Sequence, residues 1–210
     1  MKEHTRIGRG VFTKWIFVVC LAGATFCGSA NARRVAARTE TRANADGDAS
    51  QDASKIQVRN NAASLLYGLL GDEKSVDKIL LIKHPRTGLK RVIKAISKTA
   101  GDGQDQLDAL AKDDKTLDLH ALELPPGEMA TRDAIRKTDE HDLIFSWGVK
   151  FDMDLLLSQT DALNYGSHLA KIAADNSTSP EQQKQFHALD VALNAMFNRV
   201  VANIRALPAK

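Results

Sequence analysis

Asp154, Asp161 and His168 stand seven residues apart, with Asn164 between the last two. Seven residues is close to two helical turns, so on a helix these side chains form one line that presents carboxylates and an imidazole together. Such a line has the chemistry to hold a metal ion or relay a proton. At about 100° per residue, however, it falls opposite Gln159 and the Leu155/Leu163 seam, where a solvated face is expected. Gln159 is the more informative residue, because it interrupts that apolar seam between Leu155/Leu156 and Ala162/Leu163. Asp72 and Glu73 interrupt a second apolar face, between Leu69 and Val76. Packed face to face, Gln159 and Glu73 share a buried polar layer, tolerable only when hydrogen bonded. The plainer use of such a layer is to fix helix register. The other is an altered ligand site, whose metal candidates in this chain are Glu73, Gln159, Asp161 and His168.

The familiar catalytic patterns are missing. A di-iron centre in a helical bundle takes Glu-x-x-His pairs, because that spacing turns both ligands inward on one face. No Glu-x-x-His occurs in the chain, nor His-Glu-x-x-His, nor a Gly-rich phosphate loop with lysine, nor Gly-x-Ser-x-Gly. His187, Asp190 and Asn194 flank an apolar stripe, His141 lies in a charged run, and His84 and His120 read as loop residues without a second histidine at ligand spacing. Asn176-Ser177-Thr178 matches a glycosylation sequon that matters only in a eukaryotic secretory pathway. No cofactor is expected, and the balance leans away from an enzyme.

The segment that decides where these residues work is the first. Lys2, Arg6, Arg9 and Lys14 precede an apolar run from Trp15 to Phe26, and the stretch closes on Ala30-Asn31-Ala32. Basic, apolar and small in that order is an export signal, and the run is short of the roughly 20 residues that span a bilayer. Residues 1–32 are therefore expected to be a signal peptide cleaved after Ala32, with Ala30 the other candidate, placing the mature protein in the periplasm or outside the cell. An uncleaved segment would instead tether it to the membrane. The whole chain has 29 basic and 26 acidic side chains, and the segment holds four and one of them, which leaves 25 of each. A neutral remainder offers no electrostatic footprint for nucleic acid. Both cysteines, Cys20 and Cys27, also lie in the segment, so no disulfide staples the exported part.

Residues 33–55 are polar and small with Val35 as the one large apolar residue, a composition expected of a flexible linker. From 56 to 207 aliphatic residues recur at spacings of three and four, which predicts an all-α domain. Helices are predicted over about 57–83, ended by His84-Pro85; over 87–112, where Gly101-Asp102-Gly103 either kinks the helix or admits a neighbour; and over 128–145, mostly polar and peripheral. A fourth is predicted over 151–174, where Leu155, Ala162 and Leu169 repeat in the manner of a coiled-coil seam. The last opens at Ser179-Pro180-Glu181-Gln182, which reads as a capping box, and carries Phe186, Leu189, Leu193, Met196, Val200 and Ile204 on one stripe. Gly166, beside Tyr165, is expected to let a neighbouring backbone approach. The predicted architecture is an up-down four-helix bundle with one extra peripheral helix.

Phe151-Asp152-(x)3-Leu156-(x)2-Gln159, followed by a short loop and Phe186, behind a signal peptide and a polar spacer, resembles an exported ferritin-like family of uncharacterised bacterial proteins. The likeness covers about residues 65–204. It implies a ferritin-like four-helix fold, and histidines on the second and third bundle helices where this chain has Gly101, Gly103 and Leu163-Asn164. The expected function is a structural or interaction role in the cell envelope, with an unidentified protein partner and no nucleic acid. The alternative is a ferritin-like metal-dependent oxidoreductase with an unconventional site.

Overall fold

Every regular element among the described residues is helical. The computed structural model describes the backbone of residues 40–121, 124–125 and 127–208, and side chains from residue 51 onward. The expected signal peptide and the first part of the expected linker lie outside these residues. The elements are α1 (Glu40–Glu73), a 3-10 helix (Val76–Leu81), α2 (Thr87–Asp113), α3 (Glu128–Phe145), α4 (Gly148–Asp175) and α5 (Pro180–Arg205). None of the helices among the described residues is long and apolar enough to cross a membrane.

Helix pairing forms a closed ring. α1 packs on α2 and α4, α5 packs on α2 and α4, and α3 lies chiefly against α4. Contacts at the two ends set the directions. Arg59 of α1 meets Asp114 at the end of α2 and Gln182 at the start of α5, while Gly88 at the start of α2 faces Asn203 near the end of α5. Ring neighbours are therefore antiparallel, as short connections require, and α3 returns the chain along the outside. Leu66, Leu69, Leu70, Ile93, Ile96, Leu107, Leu155, Leu156, Leu163 and Phe186 fill the centre.

Several boundaries differ from the sequence expectation. α1 begins at Glu40, inside the stretch expected as linker, because that run is rich in alanine and free of proline, so a helix already formed by the packed part propagates back into it. The predicted first helix is in fact two elements: α1 stops at Glu73 and a separate 3-10 helix carries Val76–Leu81. α2 runs unbroken through Gly101 and Gly103, so the close-approach alternative holds. A Cβ at Gly103 would stand 2.9 Å from Leu189 Cδ2, and one at Gly166 would stand 2.8 Å from Leu69 Cδ2. The neighbours of Gly166 are thus leucine side chains, not backbone. Gly148 opens α4 with φ 60°, a left-handed conformation that lets the chain turn sharply out of α3.

The predicted capping box at α5 does not form. Ser179 makes no side-chain cap, and Gln182 instead turns inward to serve Arg59. The Arg59 guanidinium is fully buried. It donates to Asn60 Oδ1, Asp114 Oδ2, Gln182 Oε1 and to both the carbonyl and hydroxyl of Thr116, at 2.7 to 3.1 Å. Burial works against the Asp114 carboxylate, but hydrogen bonds from Gln182 and Thr116 and the charge of Arg59 outweigh it and hold its pKa below the ordinary value.

Substitutions at three positions test this packing. Arg59→Met leaves Gln182 Oε1 without its donor and the Asp114 carboxylate without its cation and is expected to cost about 3 kcal/mol in urea unfolding, with Arg59→Lys failing to restore it because one ammonium cannot replace the planar fork. Gly68 is exposed with open space around its Cα, so Gly68→Ala should add about 0.5 to 1 kcal/mol by helix propensity. Gly166→Ala in the same helical setting should instead lose about 1 kcal/mol through collision with the leucines.

Candidate functional site

Glu73 and Gln159 come together, as the two interrupted apolar faces predict. Glu73 is the last residue of α1 and Gln159 lies mid-way along α4, and these two helices pack against each other. Both side chains are buried, at 3% and 0% exposure. The layer is not hydrogen bonded in the way a purely structural layer requires. Glu73 Oε2, Gln159 Oε1 and Gln159 Nε2 are buried and complete no hydrogen bond. Burial pushes the Glu73 carboxyl up to about 8; Gln159 lies close enough to offset this in part, and the Asp72 charge adds to it. At neutral pH Glu73 is therefore a carboxylic acid, able to donate one hydrogen bond and accept others.

Glu73 also borders open space. A recess of about 70 Å³ is lined by Glu73 together with Val76, Ile79 and Ile82 in and just after the 3-10 helix, Leu143 and Ile144 of α3, and Leu155 of α4. Ser75, Lys78 and Glu140 complete its wall. Ile82 and Ile144 are each 45% exposed, and Leu81, Phe145 and Trp147 stand further out at the same end of the bundle. The recess thus has an apolar rim and mostly apolar walls, interrupted by Ser75, Lys78 and Glu140, with Glu73 as the buried acid among them.

A single lysine holds this end in shape. Lys83 is buried and its Nζ donates to the carbonyl oxygens of Ile144 at 2.7 Å and Ser146 at 2.9 Å. It also sits 3.4 Å from the centroid of the Trp147 ring. An ammonium at the carbonyl end of α3 is stabilised by the helix dipole as well as by these bonds. It fixes Ile144 over the recess. Nearby, Arg86 pairs with the buried Asp152 at 2.8 Å, tying the start of α2 to α4.

Asp161 and His168 do not join the site. Both are exposed; the His168 ring lies 2.9 Å from the carbonyl oxygen of Asn164, one turn earlier on its own helix. Asp161 instead faces α3, where it and Asp142 add to the burial that raises the carboxyl of Asp139. Among the described residues no three histidine, cysteine or acidic side chains converge as metal ligands do. His141 and His187 are exposed, and His120 packs edge-on against Tyr67. No family model, curated protein or solved structure matches the chain.

Arg59, Lys83 and Gln182 carry no signal in the sequence. Each has decisive partners far along the chain that no local pattern connects to it, and Gln182 reads locally as a capping residue instead. Glu73 and Gln159 are legible because each breaks an otherwise apolar face.

The acid has a measurable consequence for stability. Unfolded, Glu73 releases its proton near its ordinary value of 4.5, whereas folded it does so near 8. Between those values the folded chain binds the extra proton, so its stability falls as pH rises through the window and levels off above about 8. The loss should reach on the order of a few kcal/mol, at about 1.4 per pH unit. Urea midpoints of wild type and Glu73→Gln, compared from about pH 4 to 9, should diverge over that range, with the variant relatively more stable at the alkaline end.

Proposed function

We propose that this protein is exported to the periplasm or cell envelope and acts there by binding, with the recess at Glu73 as its binding site. The observation that carries the reading is a buried acid with an unmatched oxygen bordering an apolar recess. A carboxyl and an amide without an imidazole beside them are suited to recognising a group more than to breaking a bond. The export half rests on the order of residues in segment 1–32 and on the neutral charge balance of residues 33–210. The antiparallel ring of α1, α2, α5 and α4 with α3 outside supports an up-down four-helix bundle of ferritin-like type. On this reading the ferritin-like architecture is used as a scaffold for interaction.

Mass spectrometry of protein recovered from the envelope fraction should find a mature chain starting at Arg33; retention of Met1 overturns the localisation. The same preparation should bind an apolar naphthalene sulfonate dye at one site per chain, with blue-shifted emission. Replacing Ile82 and Ile144 together by serine should weaken that binding at least tenfold. Undiminished dye binding in the variant defeats the reading, as does stoichiometric iron, manganese or zinc surviving exhaustive dialysis.

A further inference from the structure

We propose that the end of the bundle formed by the 3-10 helix, the last turn of α3 and the loop into α4 docks on the surface of a bilayer containing anionic phospholipid. Docking there draws on the rim of the recess and not on its acid, so it stands independently of the binding function given above. Leu81, Phe145 and Trp147 are 79%, 67% and 69% exposed, with Ile82 and Ile144 half exposed beside them. Lys83 joins the two segments, since its Nζ bonds the carbonyl oxygens of Ile144 and Ser146 and lies over the Trp147 ring. Single exposed apolar residues are ordinary, but five at one end of a bundle form a patch. They protrude from turns, which suits insertion among lipid head groups better than the filling of a protein pocket. Tryptophan is a side chain favoured at that depth, with an apolar body and one polar N–H.

The charge around this end is one-sided. From residue 78 to residue 94 the chain carries Lys78, Lys83, Arg86, Lys90, Arg91 and Lys94 and no acidic residue. All but Lys83 are exposed. The acids nearby on α3 and α4 are largely occupied: Glu140 pairs with Arg136, Asp152 with Arg86 and Asp154 with Lys150. The excess of positive charge therefore comes from Lys90, Arg91 and Lys94, on the face of α2 opposite its buried Leu89, Val92 and Ile93. Their place works against the helix. α2 has no acidic residue in its first turn, and cations at a helix N-terminus oppose the helix dipole. The same helix reverses sign in its second half, where Asp102, Asp105, Asp108 and Asp113 stand against Lys112 alone. The neutral balance of residues 33–210 thus conceals a segregation, with cations gathered behind the apolar tip. Apolar side chains in front and a basic collar behind are the two parts of an interfacial anchor. The collar selects an anionic bilayer over a neutral one, and its reach of about 10 Å in 0.1 M salt covers the first turns of α2.

Removal of residues 1–32 takes away Trp15 and leaves Trp147 as the one tryptophan, so intrinsic emission reports this end directly. The mature protein should sediment with phosphatidylcholine vesicles carrying about 30% phosphatidylglycerol in about 0.1 M salt, and bind vesicles of phosphatidylcholine alone at least tenfold more weakly. Trp147 emission should shift to the blue on binding and be quenched by lipid brominated near the head group. Leu81→Ser with Phe145→Ser, at exposed positions outside the recess wall, should weaken vesicle binding at least tenfold with the helical circular dichroism unchanged. Lys90→Glu with Arg91→Glu should bring binding to anionic vesicles down to the level of neutral ones. Vesicle binding that leaves Trp147 emission unchanged overturns the proposal, and so does binding undiminished by either pair of substitutions. Absence of vesicle binding overturns it as well; if the protein then sediments as a dimer that Leu81→Ser with Phe145→Ser dissociates, this end is a contact between two copies instead. Dye binding at the recess that persists through such a failure leaves the binding function standing.

Discussion

The packing depends on one buried cation. Arg59 meets α2 and α5 at the same end of the ring, and every N–H of its guanidinium has an acceptor. A desolvated charge of this kind contributes little net stability over an apolar residue, but it is intolerant of displacement. Sliding α1 by a turn would strand it. Glu73 lies fourteen residues further along the same helix, close to four turns, so the two side chains leave nearly the same face. The register that seats Arg59 at one end of α1 therefore delivers Glu73 to the interior at the other.

The contrast between those two ends separates scaffold from site. At the Arg59 end, donors and acceptors are matched and the site is closed. At the Glu73 end, an acid and an amide lie side by side with three atoms unmatched. An unmatched buried polar group costs about 1 to 3 kcal/mol, and apolar side chains of similar size at both positions would remove that cost. The acid also borders a recess with an apolar rim, so the missing partner has a route in. On the proposed reading, unmet valence beside a recess is what separates a binding site from a merely imperfect core.

How much of this was legible in the sequence depended on whether the signal was local. The aliphatic spacing along Leu155, Leu156, Ala162, Leu163 and Leu169 reports helix and seam directly, and the helices duly appear there. Gln159 and Glu73 stood out because each violated such a pattern. The capping box failed because its glutamine had a better use: Gln182 is recruited by a guanidinium on α1 that no local rule connects to it. Lys83 was invisible for the same reason, its partners being carbonyl groups about sixty residues on. The break between α1 and the 3-10 helix places Val76 and Ile79 around Glu73, where a continuous helix would carry them on along the axis of α1.

Access to the acid turns on α3. Leu143 is its one buried residue, and its ion pairs between Arg132 and Glu128 and between Arg136 and Glu140 are made within the helix, so they do not join it to its neighbours. Among its ties to the bundle are Arg132 near the Tyr165 ring and Lys83 under its final carbonyls. A helix with so little buried area is a candidate for the less stable part of a fold. Leu143 and Ile144 form part of the recess wall, so the seat of this end of α3 sets the shape of the recess beside Glu73. The Lys83 contact, by holding the Ile144 and Ser146 carbonyls, therefore fixes that wall of the recess.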